Sequence, residues 1–229
     1  MMRIKYYYDV LCPYSWLGYQ ILAQKTAGWR EIGDYSLDYI PHMWPKIYKA
    51  VSSHSIEDVC QAKYNYVQKD LRDICEHYDL PTGSFERMYN RELRSNSSLW
   101  FLNLIKKKHG PGLHQRFMEK FWERIYLENR TANCTNDFLD VSEQLEIPFS
   151  ESQRLCMHTE QRSNVLDLTE TRLYLQEEAR AIGSPWIEVH INGWDLKFFD
   201  VMRLELIDEI FKDPSLIPDN DKFTRISAL

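Results

Sequence analysis

Hydrophobic and polar positions change period twice along this chain, and each change marks a change of element. Ile4, Tyr6, Tyr8 and Val10 alternate with Lys5, Tyr7 and Asp9, which predicts a strand with one face inward. Pro13 suits a first helical turn, where its missing N–H has no intrahelical partner to lose. A helix is therefore expected from Pro13 to about Thr26, with Cys12 at its N-cap. Tyr35, Leu37 and Tyr39 alternate again and are ended by Pro41, a second strand. Strand, helix, strand predicts a parallel pair joined by a crossover.

From about residue 55 the period lengthens to that of a helix. Cys60, Tyr64, Val67, Leu71, Ile74 and Tyr78 form one apolar stripe, stopped by Leu80-Pro81. Leu99, Leu102 and Ile105 mark another helix, which runs to the breaker His109-Gly110-Pro111-Gly112. Leu113, Phe117, Phe121 and Ile125 give the next, and Phe138, Val141 and Leu145 a shorter one closed before Pro148. A long helix from about Ser163 to Ile182 carries Val165, Leu168, Leu175 and Ala179 on one side.

Alternation then returns at Ile187, Val189 and Ile191 and again at Trp194, Leu196 and Phe198. Between them Asn192-Gly193 is a strong two-residue hairpin signal. A last helix is expected over Val201 to Phe211, with Leu206, Ile207 and Ile210 inward. Removing the helical block leaves two parallel strands, a helix, an antiparallel hairpin and a closing helix, the thioredoxin arrangement. The expected fold class is α/β, a thioredoxin-like domain (residues 1–54 and 163–218) interrupted by an all-helical insertion (55–162).

Charge narrows the partners. A net charge of -6 and a pI near 5.7 argue against a nucleic-acid binder, and Lys106-Lys107-Lys108 reads as a solvated helix end. With no signal peptide and no long apolar span, a soluble intracellular protein without a membrane partner is expected. Ser227-Ala228-Leu229 resembles a peroxisomal address but lacks its basic middle residue, so peroxisome, mitochondrion and cytosol stay open. Five cysteines without paired spacing make neither a disulfide framework nor a zinc ribbon. Cys60 and Cys75 are expected in the core, and Cys134 and Cys156 near helix ends. His42, His54 and His77 lack ligand spacing, so no metal is expected.

Two constellations carry chemistry. In Cys12-Pro13-Tyr14-Ser15 the sulfur caps a helix, where backbone donors and the helix dipole favour a thiolate. Ser15 stands where a resolving thiol would sit in a Cys-x-x-Cys pair, so this turn cannot close an internal disulfide. Cys12 then forms a mixed disulfide, hydrogen-bonds a bound thiolate, or merely caps. Gly183-Ser184-Pro185 precedes the returning hairpin, where thioredoxin-like proteins carry a cis-proline, so a cis Ser184–Pro185 bond is expected facing Cys12. Lys63, one turn into its helix, either reaches a ligand carboxylate or snorkels to solvent.

The run Tyr8-Asp9-Val10-Leu11-Cys12-Pro13-Tyr14-Ser15-Trp16-Leu17-Gly18 closely resembles the opening of kappa-class glutathione transferases. That class is a DsbA-like branch that includes 2-hydroxychromene-2-carboxylate isomerases. The likeness continues through Lys63-Tyr64-Asn65-Tyr66, Phe121 to Tyr126, Gly183-Ser184-Pro185 and Arg203-Leu204-Glu205-Leu206. It implies a homodimeric enzyme that uses glutathione as co-substrate against a small electrophile or peroxide, with no bound cofactor. The resemblance puts Cys12 and Ser15 at the catalytic turn. It places Pro13, Tyr14, Lys63, Ser184 and Pro185 around glutathione, with Lys63 near the glycyl carboxylate. Three positions depart from it. Cys12 replaces a serine, Val201-Met202 replace a Ser-Asp pair that holds the γ-glutamyl end, and the family's loop asparagine has no match, Ser53 or His54 being the nearest occupant. Asp200, one residue earlier, is the nearest substitute for the lost carboxylate. A monothiol disulfide oxidoreductase and a catalytically reduced binding or scaffold protein remain the alternatives.

Overall fold

A computed structural model describes residues 1–52, 58–86 and 94–217. Strand β1 (Met2–Tyr8) buries every second side chain at its start and all of its last three. Helix α1 (Pro13–Ile32) leads to β2 (Tyr35–Pro41), which pairs with β1 in parallel, Tyr6 beside Tyr39. β3 (Trp186–Ile191) lies antiparallel on the other side of β1, and β4 (Trp194–Phe199) completes the sheet in the order β2-β1-β3-β4. At the hairpin between them both Asn192 (φ 50°) and Gly193 (φ 85°) are left-handed, as a two-residue turn that follows strand twist requires.

Helices cover both faces of the sheet. Ile4, Tyr6 and Tyr8 face the larger core with Ile187 and Val189, while Tyr7 and Trp186 face the opposite side, packed with Ile47, Leu175, Ala179 and Ala181. The helices between β2 and β3 are α2 (Trp44–Ser52), α3 (Gln61–His77), α4 (Asn96–Trp122), α5 (Thr135–Gln144), α6 (Phe149–His158) and α7 (Arg162–Leu173). Single-turn π-segments extend α4 and α7, and α8 (Arg203–Lys212) closes the chain against α1. The inserted helices share the larger core with the sheet, and in it Phe101 stacks on Phe138 at 4.4 Å and Phe117 packs edge-on to Phe101. Each such fully buried ring contributes roughly 1.5–3 kcal/mol. This is a DsbA-like thioredoxin fold, a mixed four-stranded sheet with eight α-helices among the described residues. Among the described residues no helix is long and apolar enough to cross a membrane.

Several elements differ from the sequence expectation. α1 runs on to Ile32 because Trp29, 1% exposed, is held by an indole bond to Asp208 on α8 (2.7 Å). Val10 lies in a turn after β1 rather than in the strand. Cys60 is the exposed N-cap of α3, not part of its apolar face; Cys75 is buried as expected. The long helix stops at Leu173 and continues as the π-segment Tyr174–Glu178. α2 and α6 were not expected: each buries only two side chains and leaves little stripe to read. Ser53, His54 and the last three residues lie outside the described residues.

Candidate functional site

The carboxyl end of β1 runs into a tight turn organised by Asp9. Its buried carboxylate accepts the N–H of Leu11 (3.0 Å) and of Trp44 (3.1 Å) and the hydroxyl of Ser95 (2.9 Å). One side chain thus ties the β1–α1 turn to the start of α2 and the cap of α4. Burial raises the Asp9 carboxyl to about 6, against the lowering effect of those three donors. The turn delivers Cys12 in extended conformation (φ −89°, ψ 109°) to the N-cap of α1, with Pro13 next. Gly18 makes room below: a Cβ there would lie 2.4 Å from the Tyr6 hydroxyl, which donates to the Ser15 carbonyl.

Facing this turn, the Ser184–Pro185 peptide bond is cis. The Cys12 thiol donates to the Ser184 carbonyl at 3.3 Å, and the Ser184 hydroxyl lies 2.8 Å from that of Ser15. Gly183 is closed in by Phe199, whose ring would sit 2.4 Å from an added Cβ. Residues from α1 and from the start of β3, far apart in sequence, therefore meet at one sulfur.

The sulfur is not the open thiolate that its N-cap position suggests. Cys12 is fully buried, and burial pushes its thiol up to about 12, outweighing hydrogen bonds from Ser15 that pull it down. The resting group is a protonated thiol. Behind it Trp16 stacks on Tyr126 at 4.8 Å, and the buried Tyr126 hydroxyl has no partner among the described residues.

Residues 3–211 match the DSBA-like thioredoxin domain. The chain belongs to the DSBA-like thioredoxin family. Within that family it is similar to glutathione S-transferase kappa 1 of Caenorhabditis elegans, 21% identical over 95% of this chain and 94% of the relative. Glutathione S-transferase kappa 1 of Homo sapiens is 24% identical over 94% and 93%. Among solved structures, a 2-hydroxychromene-2-carboxylate isomerase superposes with a TM-score of 0.72 at 14% identity, covering 96% of this chain and 98% of its own. The cytosolic disulfide reductase DsbM of Pseudomonas aeruginosa superposes with a TM-score of 0.60 at 13% identity, covering 93% of each chain.

The other residues singled out in this DSBA-like chain are placed unevenly. Pro13 is buried in the first turn of α1, and Tyr14 donates to Asp70 of α3 at 2.7 Å. Asp200 (φ 86°) donates its N–H to the Pro185 carbonyl at 3.5 Å, and its carboxylate accepts the N–H of Met202 at 3.2 Å. Val201 is buried and Met202 half exposed. Lys63 is exposed and turned to Tyr48, 2.9 Å from its hydroxyl and over its ring. Two residues escaped sequence reasoning. Asp9 looked like an outward strand position, although an acid just before a turn is a local signal for side-chain capping of the backbone. His42, whose Nε2 lies 3.0 Å from the Ser184 hydroxyl, carried no signal at all, because only the tertiary fold brings it there.

Proposed function

We propose that this protein is a glutathione transferase of the kappa type, with glutathione bound where the N-terminus of α1 faces the cis Ser184–Pro185 bond. The observation that carries the reading is the Cys12 thiol set against the Ser184 carbonyl at that junction. Similarity to kappa 1 transferases over more than nine-tenths of both chains supports it. In this reading the Cys12 S–H turns from the Ser184 carbonyl to the glutathione sulfur and holds it as a thiolate. That thiolate forms a bond to an electrophilic carbon as the leaving group departs with its electron pair. With a peroxide the sulfur attacks oxygen, the O–O bond breaks, and a second glutathione completes reduction to water or alcohol as glutathione disulfide forms.

Ser15 supports the sulfur, Pro13 and Tyr14 shape the turn, and the backbone of Ser184 and Pro185 pairs with the cysteinyl part. Lys63 leaves Tyr48 for the glycyl carboxylate, and Asp200 meets the γ-glutamyl ammonium. Val201 and Met202 carry no charge to help it, and a missing charged partner costs ~2–5 kcal/mol of binding. We take residues 1–54 and 163–218 as the thioredoxin-like unit, 55–162 as the insertion, and the active form as a homodimer.

Monothiol disulfide exchange is the competing chemistry, favoured by a cysteine at position 12. It needs a thiolate, and the buried thiol at about 12 weighs against it. Conjugation of a model electrophile by wild type and Cys12→Ser separates the two. The transferase reading expects Cys12→Ser to keep conjugation within about tenfold while losing any adduct with oxidised glutathione. No calorimetric binding of reduced glutathione to the wild type would sink it and favour a scaffold role.

A further inference from the structure

His42 follows β2 directly, its N–H continuing the sheet by donating to the Tyr8 carbonyl at 2.9 Å. The imidazole is 0% exposed, and burial takes it down to about 3, so it is neutral near pH 7 and carries one ring proton. Nε2 lies 3.0 Å from the Ser184 hydroxyl, and Nδ1 has no partner among the described residues. A buried donor without an acceptor is rarer and more costly than a lone pair without a donor. The proton therefore belongs on Nε2.

That choice sets the direction of everything that follows. Nε2–H donates to the Ser184 hydroxyl, whose own proton then has one remaining acceptor among the described residues, the Ser15 oxygen 2.8 Å away. Ser15 Oγ also receives the Asp9 N–H at 3.5 Å, which leaves its own proton free. Ser15 stands one helical turn beyond Cys12 at the start of α1, and its side chain lowers the ionisation of that thiol, the effect of a proton aimed at the sulfur. Hydrogen bonds aligned head to tail polarise one another, and the sulfur at the end receives a stronger donor than an isolated serine provides.

We propose that His42 is a positioning residue for Cys12: as the neutral Nε2–H tautomer it starts a one-way hydrogen-bond chain through Ser184 and Ser15 that ends on the Cys12 sulfur. Such a chain makes the thiol a better proton donor to an anionic sulfur bound against it, and a more accessible thiolate when it must react. Asp9, Tyr6, Tyr14 and Tyr126 are the other titratable groups that act on this sulfur, and Asp9 opposes its ionisation. The inference rests on Cys12 being the working sulfur of the function proposed above, though not on glutathione being its partner.

The test reads the sulfur itself. The alkylation rate of Cys12 by iodoacetamide at pH 8, followed by mass spectrometry of the proteolytic peptide that carries it, apart from the exposed Cys60 and Cys134, reports its thiolate fraction. His42→Phe keeps an aromatic ring but removes the donor, and is expected to slow alkylation about tenfold, one pH unit of ionisation. His42→Gln, which returns an N–H near the same place, is expected to recover most of that loss. A merely structural role gives the opposite sign, because a loosened fold exposes the buried sulfur and speeds alkylation. Should His42→Phe fail to fold, nitrogen NMR of the wild-type imidazole decides alone: a proton on Nε2 supports the chain, a proton on Nδ1 overturns it. Unchanged or faster alkylation in a folded His42→Phe protein also overturns it. A wild type that binds no glutathione but shows these alkylation effects would remove the transferase reading and leave this one standing.

Discussion

Asp9 shows how much one side chain can fix. It is the meeting point of three segments, the acceptor of the Leu11 and Trp44 amides and of the Ser95 hydroxyl. Asp9→Ala is expected to cost about 3 kcal/mol or more, since it leaves buried donors unpaired at roughly 1–3 kcal/mol each. Ser95→Ala removes a single donor and is expected to cost about 1 kcal/mol. Urea denaturation of the two variants checks the order, and equal losses would mean that the carboxylate is not the hub. The same residue marks the limit of what the chain discloses in one dimension. Alternation placed Asp9 outward, because period-2 reasoning ends where the strand ends and cannot see a turn fold the side chain under itself. Cys12 was legible as a helix cap from Pro13 alone. Its ionisation was not, because whether a thiol at a helix N-terminus is open or buried depends on what packs over it, here Ser184 and the cis-proline loop.

At the scale of elements, the strands, the parallel pair and the hairpin were readable because alternation, the parallel crossover and the Asn192-Gly193 turn each carry a local rule. α2 and α6 were not, since their few buried positions come from neighbours rather than from a stripe. The breaker in α4 was legible too. The helix breaks there as expected: Gly110 sits at φ 83°, ψ 179°, outside helical geometry, so α4 is two helical arms joined at a glycine. That backbone region is essentially closed to residues with a Cβ. Nothing lies within 4 Å of a Cβ built at Gly110 or at Gly112, so contact plays no part at either position. Gly110→Ala is expected to lose about 1–3 kcal/mol of stability from backbone strain alone. Gly112→Ala, in helical conformation two residues on, is expected to gain roughly 0.5–1 kcal/mol. Thermal unfolding of the pair would show opposite shifts; a loss in both would point to packing instead.

At the scale of the whole molecule, buried titratable groups on different elements set a common response to acid. His42 and His114 are both held down to about 3 by burial, His114 while bonded to the Tyr8 hydroxyl at 2.8 Å. A histidine depressed in the fold contributes stability that is present above its unfolded value near 6.5 and lost as pH falls through the folded one. Asp9, raised to about 6, acts in the opposite sense: its contribution is present below its unfolded value and lost as pH rises through the folded one. Below pH 6.5 the unfolded chain therefore takes up two protons that the fold refuses. Between about 6 and 4 the fold holds one extra proton on Asp9, leaving a net difference of one. Over the full range each histidine withdraws roughly 5 kcal/mol and Asp9 returns roughly 3 kcal/mol, so the histidines win. Their balance is of the order of a domain's whole stability, and acid unfolding is expected before pH 3 is reached. Urea titrations at pH 7, 6, 5 and 4 should show stability nearly level above 7 and falling below it. His114→Gln, able to keep a bond to Tyr8, should flatten that fall by about one proton, roughly 1.4 kcal/mol per pH unit. A wild type whose stability stays level from pH 7 to 4 would mean that both imidazoles reach solvent, and with it the buried setting of His42 beneath Cys12 would be lost.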